Sequence, residues 1–303
     1  TSVNFGNSVT SIGPSAFAYC SSLTNLAIPN SVASIGDSTF ARCSSLTSVT
    51  LGDSVANIGV YAFVSCASLG AIVVDPLNPF YSSLDGVLFN TDQTTLILYP
   101  GGRAGGYTVP NGVTNIGSYA FAACSHLTQI TIPDSVTSLG DNVFESCGLT
   151  NATIGNGVSS IGGCAFYYCT NLTSVTLGNS VSDIGGSAFQ YCGLASGTIP
   201  TSVTFITDSA ISNCPRLASV TLRNGVSSIG SWAFRGCTSL ASITFANGVT
   251  SIGYGAFGDC GSLVSVRIPD SVTSIEGRAF EYCTNLTSIN IPVGVSGIGW
   301  ETF

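Results

Sequence analysis

Twelve cysteines and a single histidine stand out in this 303-residue chain, so thiol chemistry is the first possibility to weigh. In SAFAYCSSL, Ser15 to Leu23, Cys20 has four conceivable roles: disulfide partner, metal ligand, nucleophile or core-filling thiol. A nucleophile needs a base beside it. The histidine, His126 in ACSHL, falls in a column occupied elsewhere by Ser22, Ser45, Ser68, Ser239 and Ser262, and reads as an exposed polar substitution. Cys124, two residues earlier, belongs to a different column and should point away from it. Zinc needs four ligands converging on one point, which a straight ladder of thiols cannot supply. Neither DPLNP nor NTDQ has calcium-loop spacing, and there is no phosphate-binding glycine loop. The acids lie singly in different columns, so no carboxylate pair is set up. The chain is read as a non-enzyme with no cofactor and no metal.

Composition narrows the partners. The chain is 45% hydrophobic and 7% charged, lacks lysine and methionine, and carries a net charge of −8. Such a surface repels phosphate backbones and anionic headgroups, so nucleic-acid binding is not expected. No run of apolar residues is long enough for a membrane-crossing helix, and TSVNFGNSVT has no signal-peptide character.

The cysteines are placed by a repeat. Phenylalanine recurs at 17, 40, 63, 121, 144, 166, 189, 234, 257, 280 and 303, with Ile211 filling one gap. Spacings are 22 or 23 residues except between Phe63 and Phe121, where 35 residues are added to one period. A cysteine follows three positions after each anchor at Cys20, Cys43, Cys66, Cys124, Cys147, Cys169, Cys192, Cys214, Cys237, Cys260 and Cys283. Only Cys164 is outside the column. It shares a position with Ser15, Tyr61, Tyr119 and Ser187, and is the candidate reactive thiol.

Each part of the unit has a physical reading. Leu46, Val49 and Leu51 alternate as in a short strand with one buried face. Proline or glycine ends it, as at Pro29 and Gly52. The A-F-x-x-C-x-x-L spacing predicts a turn of helix or 3-10 helix. One coil cannot bury its own apolar stripe, so coils must stack, about 4.7–4.9 Å apart where strands pair. The prediction is a single solenoid over residues 1–303, of about 12–13 coils, with an irregular insert at 75–106 in which GVLF and TTLILY form a β-hairpin. Column cysteines should be buried free thiols, with oxidised neighbours the alternative.

Repeats such as VTSIGYGAFGDCGSLVSVRIP (Val249–Pro269) and VTNIGSYAFAACSHLTQITIP (Val113–Pro133) resemble the BspA-type, Treponema pallidum-like, leucine-rich repeats. The resemblance implies a right-handed leucine-rich-repeat solenoid with parallel strands on its concave face and helical or extended segments on the convex side. It also implies an extracellular or cell-surface setting, adhesion to proteins or other cells, and no catalytic residues.

The solvent face of the strands is the candidate ligand surface: Thr50, Thr131, Thr153, Thr176, Thr198, Thr221, Thr244, Arg267 and Asn290, with a serine column two residues earlier. These hydroxyls either solubilise the array or recognise a protein or glycan ligand. Sequons at Asn151, Asn171 and Asn285 are candidate glycosylation sites. Two further readings are a structural protomer that self-associates end to end and an ice-binding lattice.

Overall fold

Each period lays down one longer strand, one two-residue strand and a run of turns, and successive periods stack in parallel to make a leucine-rich-repeat solenoid. The computed structural model describes residues 2–303, with Gly197 and Thr198 described through their backbone alone. The longer strands follow the predicted alternation: in Ser48–Leu51, Val49 and Leu51 face inward while Thr50 is exposed. Their register pairs equivalent residues of neighbouring coils, as in Thr131 with Thr153 and Thr153 with Thr176. The two-residue strands form a second row, for example Asn115–Ile116, Ser138–Leu139 and Ser160–Ile161.

The A-F-x-x-C segment is not helical, and among the described residues there is no α-helix or 3-10 helix. Two residues of each such segment, two before and two after the anchor, lie in the left-handed region: Ser15 and Tyr19 around Phe17, Ser38 and Arg42 around Phe40, Cys164 and Tyr168 around Phe166. That conformation ends right-handed helix. The backbone donors then divide. Those of Ala16 and Ala18 close local turns onto Gly13 O and Ser15 O, while those of Ser15, Phe17 and Tyr19 reach Asp37 O, Thr39 O and Ala41 O of the next coil at 2.8–2.9 Å. The segment is therefore a third ladder, three inter-coil bonds per step, and the apolar spacing that suggested a helix is the spacing of this turn.

Inside, the anchors stack as parallel rings, Phe40 on Phe63 at 5.4 Å and Phe144 on Phe166 at 4.9 Å. The coil pitch sets that distance, and each aromatic pair contributes about 0.5–1.5 kcal/mol beyond its burial.

The insert splits this core. Strand Val87–Asn90 pairs antiparallel with both Thr95–Leu98 and a third strand, Tyr81–Leu84, which the sequence pattern did not single out because Y-S-S-L is half-buried and polar. Leu88 packs into the core of the first coils, while Val87 and Phe89 face the core of the remainder. Thr95–Leu98 serves as the short strand of the next coil by pairing with Asn115–Ile116. Tyr99 takes the anchor position there, its ring 5.0 Å from Phe121. Asn78 fixes the insert to the preceding coil. Buried at 4% exposure, it donates to Gly52 O and Val55 O and accepts from the N–H groups of Phe80 and Tyr81.

Candidate functional site

Two surfaces carry exposed side chains in register. On the long-strand sheet, Thr50, Thr131, Thr153, Thr176, Thr221, Thr244 and Arg267 are exposed, with Thr221 and Thr244 side by side on paired strands. Thr198 pairs with Thr221 through its backbone; its side chain lies outside the described residues. Asn290 is exposed, but its amide is spent internally, accepting from Ile268 N–H and donating to Ile268 O, both at 2.9 Å. The row is broken into four pieces, so the hydroxyls do not form one continuous lattice. Of the sequons, Asn171 is exposed, Asn151 is half-buried in a strand, and Asn285 donates to Gly261 O at 2.7 Å.

The second surface is the turn ladder, where sequence reasoning placed only the thiol of Cys164. Its left-handed positions and their neighbours hold Tyr19, Arg42, Tyr61, Tyr119, Tyr168, Tyr191, Trp232, Arg278 and Tyr282. Toward the last coils they form a connected group. Trp232 meets Tyr254 edge-on at 4.7 Å, and Tyr254 lies 6.0 Å from Trp300. Arg235 sits over Trp232 at 4.5 Å and Arg278 over Trp300 at 4.3 Å. Arg235 pairs with Asp259 at 2.9 Å and Arg278 with Glu301 at 2.7 Å. Gly255 makes room for the first indole, since a Cβ there would lie 2.1 Å from the Trp232 ring. The available sequence signal was an aromatic excess in columns outside the buried register.

Near the insert, Tyr61 and Tyr119 pack at 4.4 Å, and Tyr61 donates its phenol to Glu145. Burial, then Glu145, pushes the Tyr61 phenol above its usual range. Asn142 donates to the same carboxylate at 3.2 Å.

The thiol column is free of disulfides among the described residues. From Cys43 onward each column sulfur points at the carbonyl of the anchor one coil back: Cys43 to Phe17 O, Cys147 to Phe121 O, Cys237 to Ile211 O, at 2.8–3.2 Å. This is a weak donor meeting an inward carbonyl, and it explains why one residue type holds the column. Burial is the main force raising Cys66, to about 12, and Cys283, to about 11. Cys20 is exposed rather than buried. Cys164 is half-buried, and burial followed by the charges of Glu145 and Asp141 raises it too, which works against its thiolate.

Cys124 turns to Tyr99 O while His126 lies near Gly101 O, so thiol and imidazole address different carbonyls. Among the described residues no three His, Cys, Asp or Glu side chains are grouped to hold a metal ion, and no helix is long and apolar enough to cross a membrane.

The model of the BspA type leucine rich repeat region matches residues 1–95, 105–218 and 206–303. Among solved structures, a leucine-rich repeat protein from Bacteroides ovatus is 29% identical, with a TM-score of 0.64 over 96% of this chain and 78% of the other. One from Eubacterium ventriosum is 25% identical, with a TM-score of 0.65 over 97% and 84%. A leucine rich cell surface protein from Faecalibacterium prausnitzii is 29% identical, with a TM-score of 0.57 over 97% and 80%. No curated protein matches the chain.

Proposed function

Because this chain belongs to the BspA-type leucine-rich repeat family, we propose that it is a non-enzymatic protein-interaction module of a cell surface. The observation that carries the reading is the joined group Trp232, Arg235, Tyr254, Arg278 and Trp300 on the turn ladder. Tryptophan, tyrosine and arginine dominate binding hot spots: the two aromatics bring large contact area with few rotors, and arginine brings a planar fork of donors. Here they are pre-ordered by stacking and ion pairs, which lowers the ordering cost of binding. The cell-surface setting is supported by the Faecalibacterium relative described in those words. The test is immobilised chain challenged with matrix proteins, a glycan array and whole cells. A ligand should bind, and Trp300→Ala should weaken it at least tenfold. No binding, or binding indifferent to that change, overturns the reading.

A second reading, recognition across the long-strand sheet, rests on the in-register exposed pairs Thr131–Thr153 and Thr153–Thr176. It suits a glycan, whose hydroxyls would meet a nearly uncharged hydroxyl face. Thr153→Lys with Thr176→Lys should abolish glycan binding while leaving Trp300-dependent binding intact.

A further inference from the structure

The chain keeps most of its cations on its aromatic rings. Of seven arginines, Arg42 lies over Tyr19 at 5.4 Å, Arg103 over Tyr99 at 5.6 Å, Arg235 over Trp232 at 4.5 Å and Arg278 over Trp300 at 4.3 Å. Toward the last coils each set is complete: a ring, an arginine over it and an acid on the arginine, as in Trp232, Arg235 and Asp259 or Trp300, Arg278 and Glu301.

One exposed aromatic group on the same ladder lacks the middle member. Tyr167, Tyr168 and Tyr191 touch one another with ring centroids 5.3–5.8 Å apart, and among the described residues no arginine lies over any of them. Tyr168 is 53% exposed and Tyr191 36%, while Phe166 and Phe189 fill the core beneath them, so burial does not account for the rings. Ladder bonds fix the backbone on which they stand. Tyr168 N–H donates to Gln190 O at 2.9 Å and Tyr191 N–H to Ser212 O at 3.1 Å, while Tyr167 O accepts from Ser146 N–H at 2.8 Å.

The acids are present. Ser146 follows Glu145 on the coil before the trio, and on that coil Asp141 accepts from Gly163 N–H at 2.7 Å. Burial, then Tyr191, Cys164, Tyr168 and Glu145, raise the Tyr167 phenol, which marks Glu145 as within electrostatic reach of the rings. Aromatic faces carry negative potential and attract cations, the guanidinium most often among side chains. An anionic ligand would be repelled by the rings, by both acids and by the chain's net charge of −8. We propose that Tyr167, Tyr168 and Tyr191 receive an arginine side chain of a second protein, its guanidinium stacked on the phenol rings and its charge balanced by Asp141 and Glu145. Arginine suits the site better than lysine because its planar, weakly hydrated head stacks on rings. The site is separate from the tryptophan–arginine group, whose rings already carry their own arginines, and the proposal does not rest on that group.

The test titrates the whole chain, labelled at its tyrosine rings, with a nine-residue peptide of alternating glycine and arginine, followed by NMR. The Tyr167, Tyr168 and Tyr191 ring signals should move ahead of those of the other tyrosines. The same peptide with lysine for arginine should bind at least threefold more weakly. Tyr168→Ser with Tyr191→Ser should cost about tenfold. Serine holds the same position at Ser65 and Ser146, so the ladder tolerates that change. Tyr168→Phe with Tyr191→Phe should keep binding within threefold, since the ring face and not the hydroxyl takes the cation. Asp141→Asn with Glu145→Gln should weaken binding about threefold, and Trp300→Ala should leave it within twofold. The proposal is overturned if the peptide moves signals across the acidic surface without preference for the three rings, if the serine variant binds as well as the parent, or if the lysine peptide binds equally. It is also overturned if a neutral oligosaccharide, or a change in concentration of the chain alone, moves the same rings as strongly.

Discussion

Tyr61 donates its phenol to Glu145 at 2.8 Å although the two are 84 residues apart, a bond that spans the coil carrying the insert. Its donor lies beside Ala62 and Phe63 of the first core and its acceptor beside Phe144 of the second, so it ties together two bodies that the hairpin separates. A bond to a carboxylate is worth about 1.5–3 kcal/mol when sheltered, and less at this half-buried site. Tyr61→Phe and Glu145→Gln should each lower stability by about 1 kcal/mol, and a double-mutant cycle should give a coupling of similar size. Thermal unfolding checks this; additive effects would mean the contact contributes nothing.

Asn78 has a larger effect than any surface hydroxyl. Replacing it by alanine strands the buried carbonyl of Val55, leaves Gly52 O with only the long bond from Val55 N–H, and removes the acceptor of two N–H groups at once. Each unsatisfied buried group costs about 1–3 kcal/mol. The expected loss for Asn78→Ala is roughly 3 kcal/mol or more, with hydrogen exchange speeding up first in the coils before the insert. Asn78→Asp should be as damaging near neutral pH, because a carboxylate has no donor for those carbonyls.

The period, the anchor and cysteine columns, the strand alternation and the GVLF–TTLILY hairpin were all legible in the sequence, since each is a spacing rule that burial enforces. Three things were not. Left-handed backbone at Ser15, Tyr19 or Cys164 leaves no mark in residue type, because serine, tyrosine and cysteine are not the residues that advertise it. Asn78 sits in an irregular stretch where no column announces a buried polar role. The gap between Val60–Ser65 and Ser118–Ala122, beside Phe63, exists only as missing bonds between coils, which no single segment encodes.

Alkali should unfold the protein through its thiol column. Cys43, Cys66, Cys147, Cys169, Cys192, Cys237, Cys260 and Cys283 are all raised from an ordinary 9.0. For a raised group the protonated form is the one the fold prefers, so its stability is fully present below about 9.0 and falls as pH climbs toward the folded value, about 12 for Cys66. Each fully buried thiol steepens the loss by up to about 1.4 kcal/mol per pH unit in that window. Melting temperature should be flat below about pH 8 and drop sharply above 9, and Cys66→Ala with Cys192→Ala should soften the drop. An unchanged alkaline slope in that variant would show that other groups govern it.

Native-state thiol labelling should order the cysteines by exposure and charge. Cys20 is exposed, Cys164 is half-buried beside Glu145 and Asp141, and the others are buried. Maleimide followed by mass spectrometry should give one fast adduct at Cys20 and a slower one at Cys164. Cys20→Ser should remove the fast phase, and Glu145→Gln should quicken the slow one. A fast adduct at Cys164 would contradict the electrostatics of its site.

Gly255 and Trp232 test whether the tryptophan group is ordered by the ladder. Gly255 has φ +58°, and a Cβ there would meet the Trp232 ring at 2.1 and 2.2 Å. The left-handed angle is not by itself prohibitive, since Trp232, Cys164 and Arg278 adopt it with side chains attached; its cost is about 1–2 kcal/mol. The added term in Gly255→Ala is displacement of the indole from Tyr254 and Arg235. The variant should lose roughly 2–3 kcal/mol and shift tryptophan emission to the red. Trp232→Ser, a residue this position already holds at Ser15, Ser38 and Ser187, should remove most of the added loss when combined with Gly255→Ala. If the glycine change costs the same with serine at 232, the backbone angle is responsible and the indole is free to move.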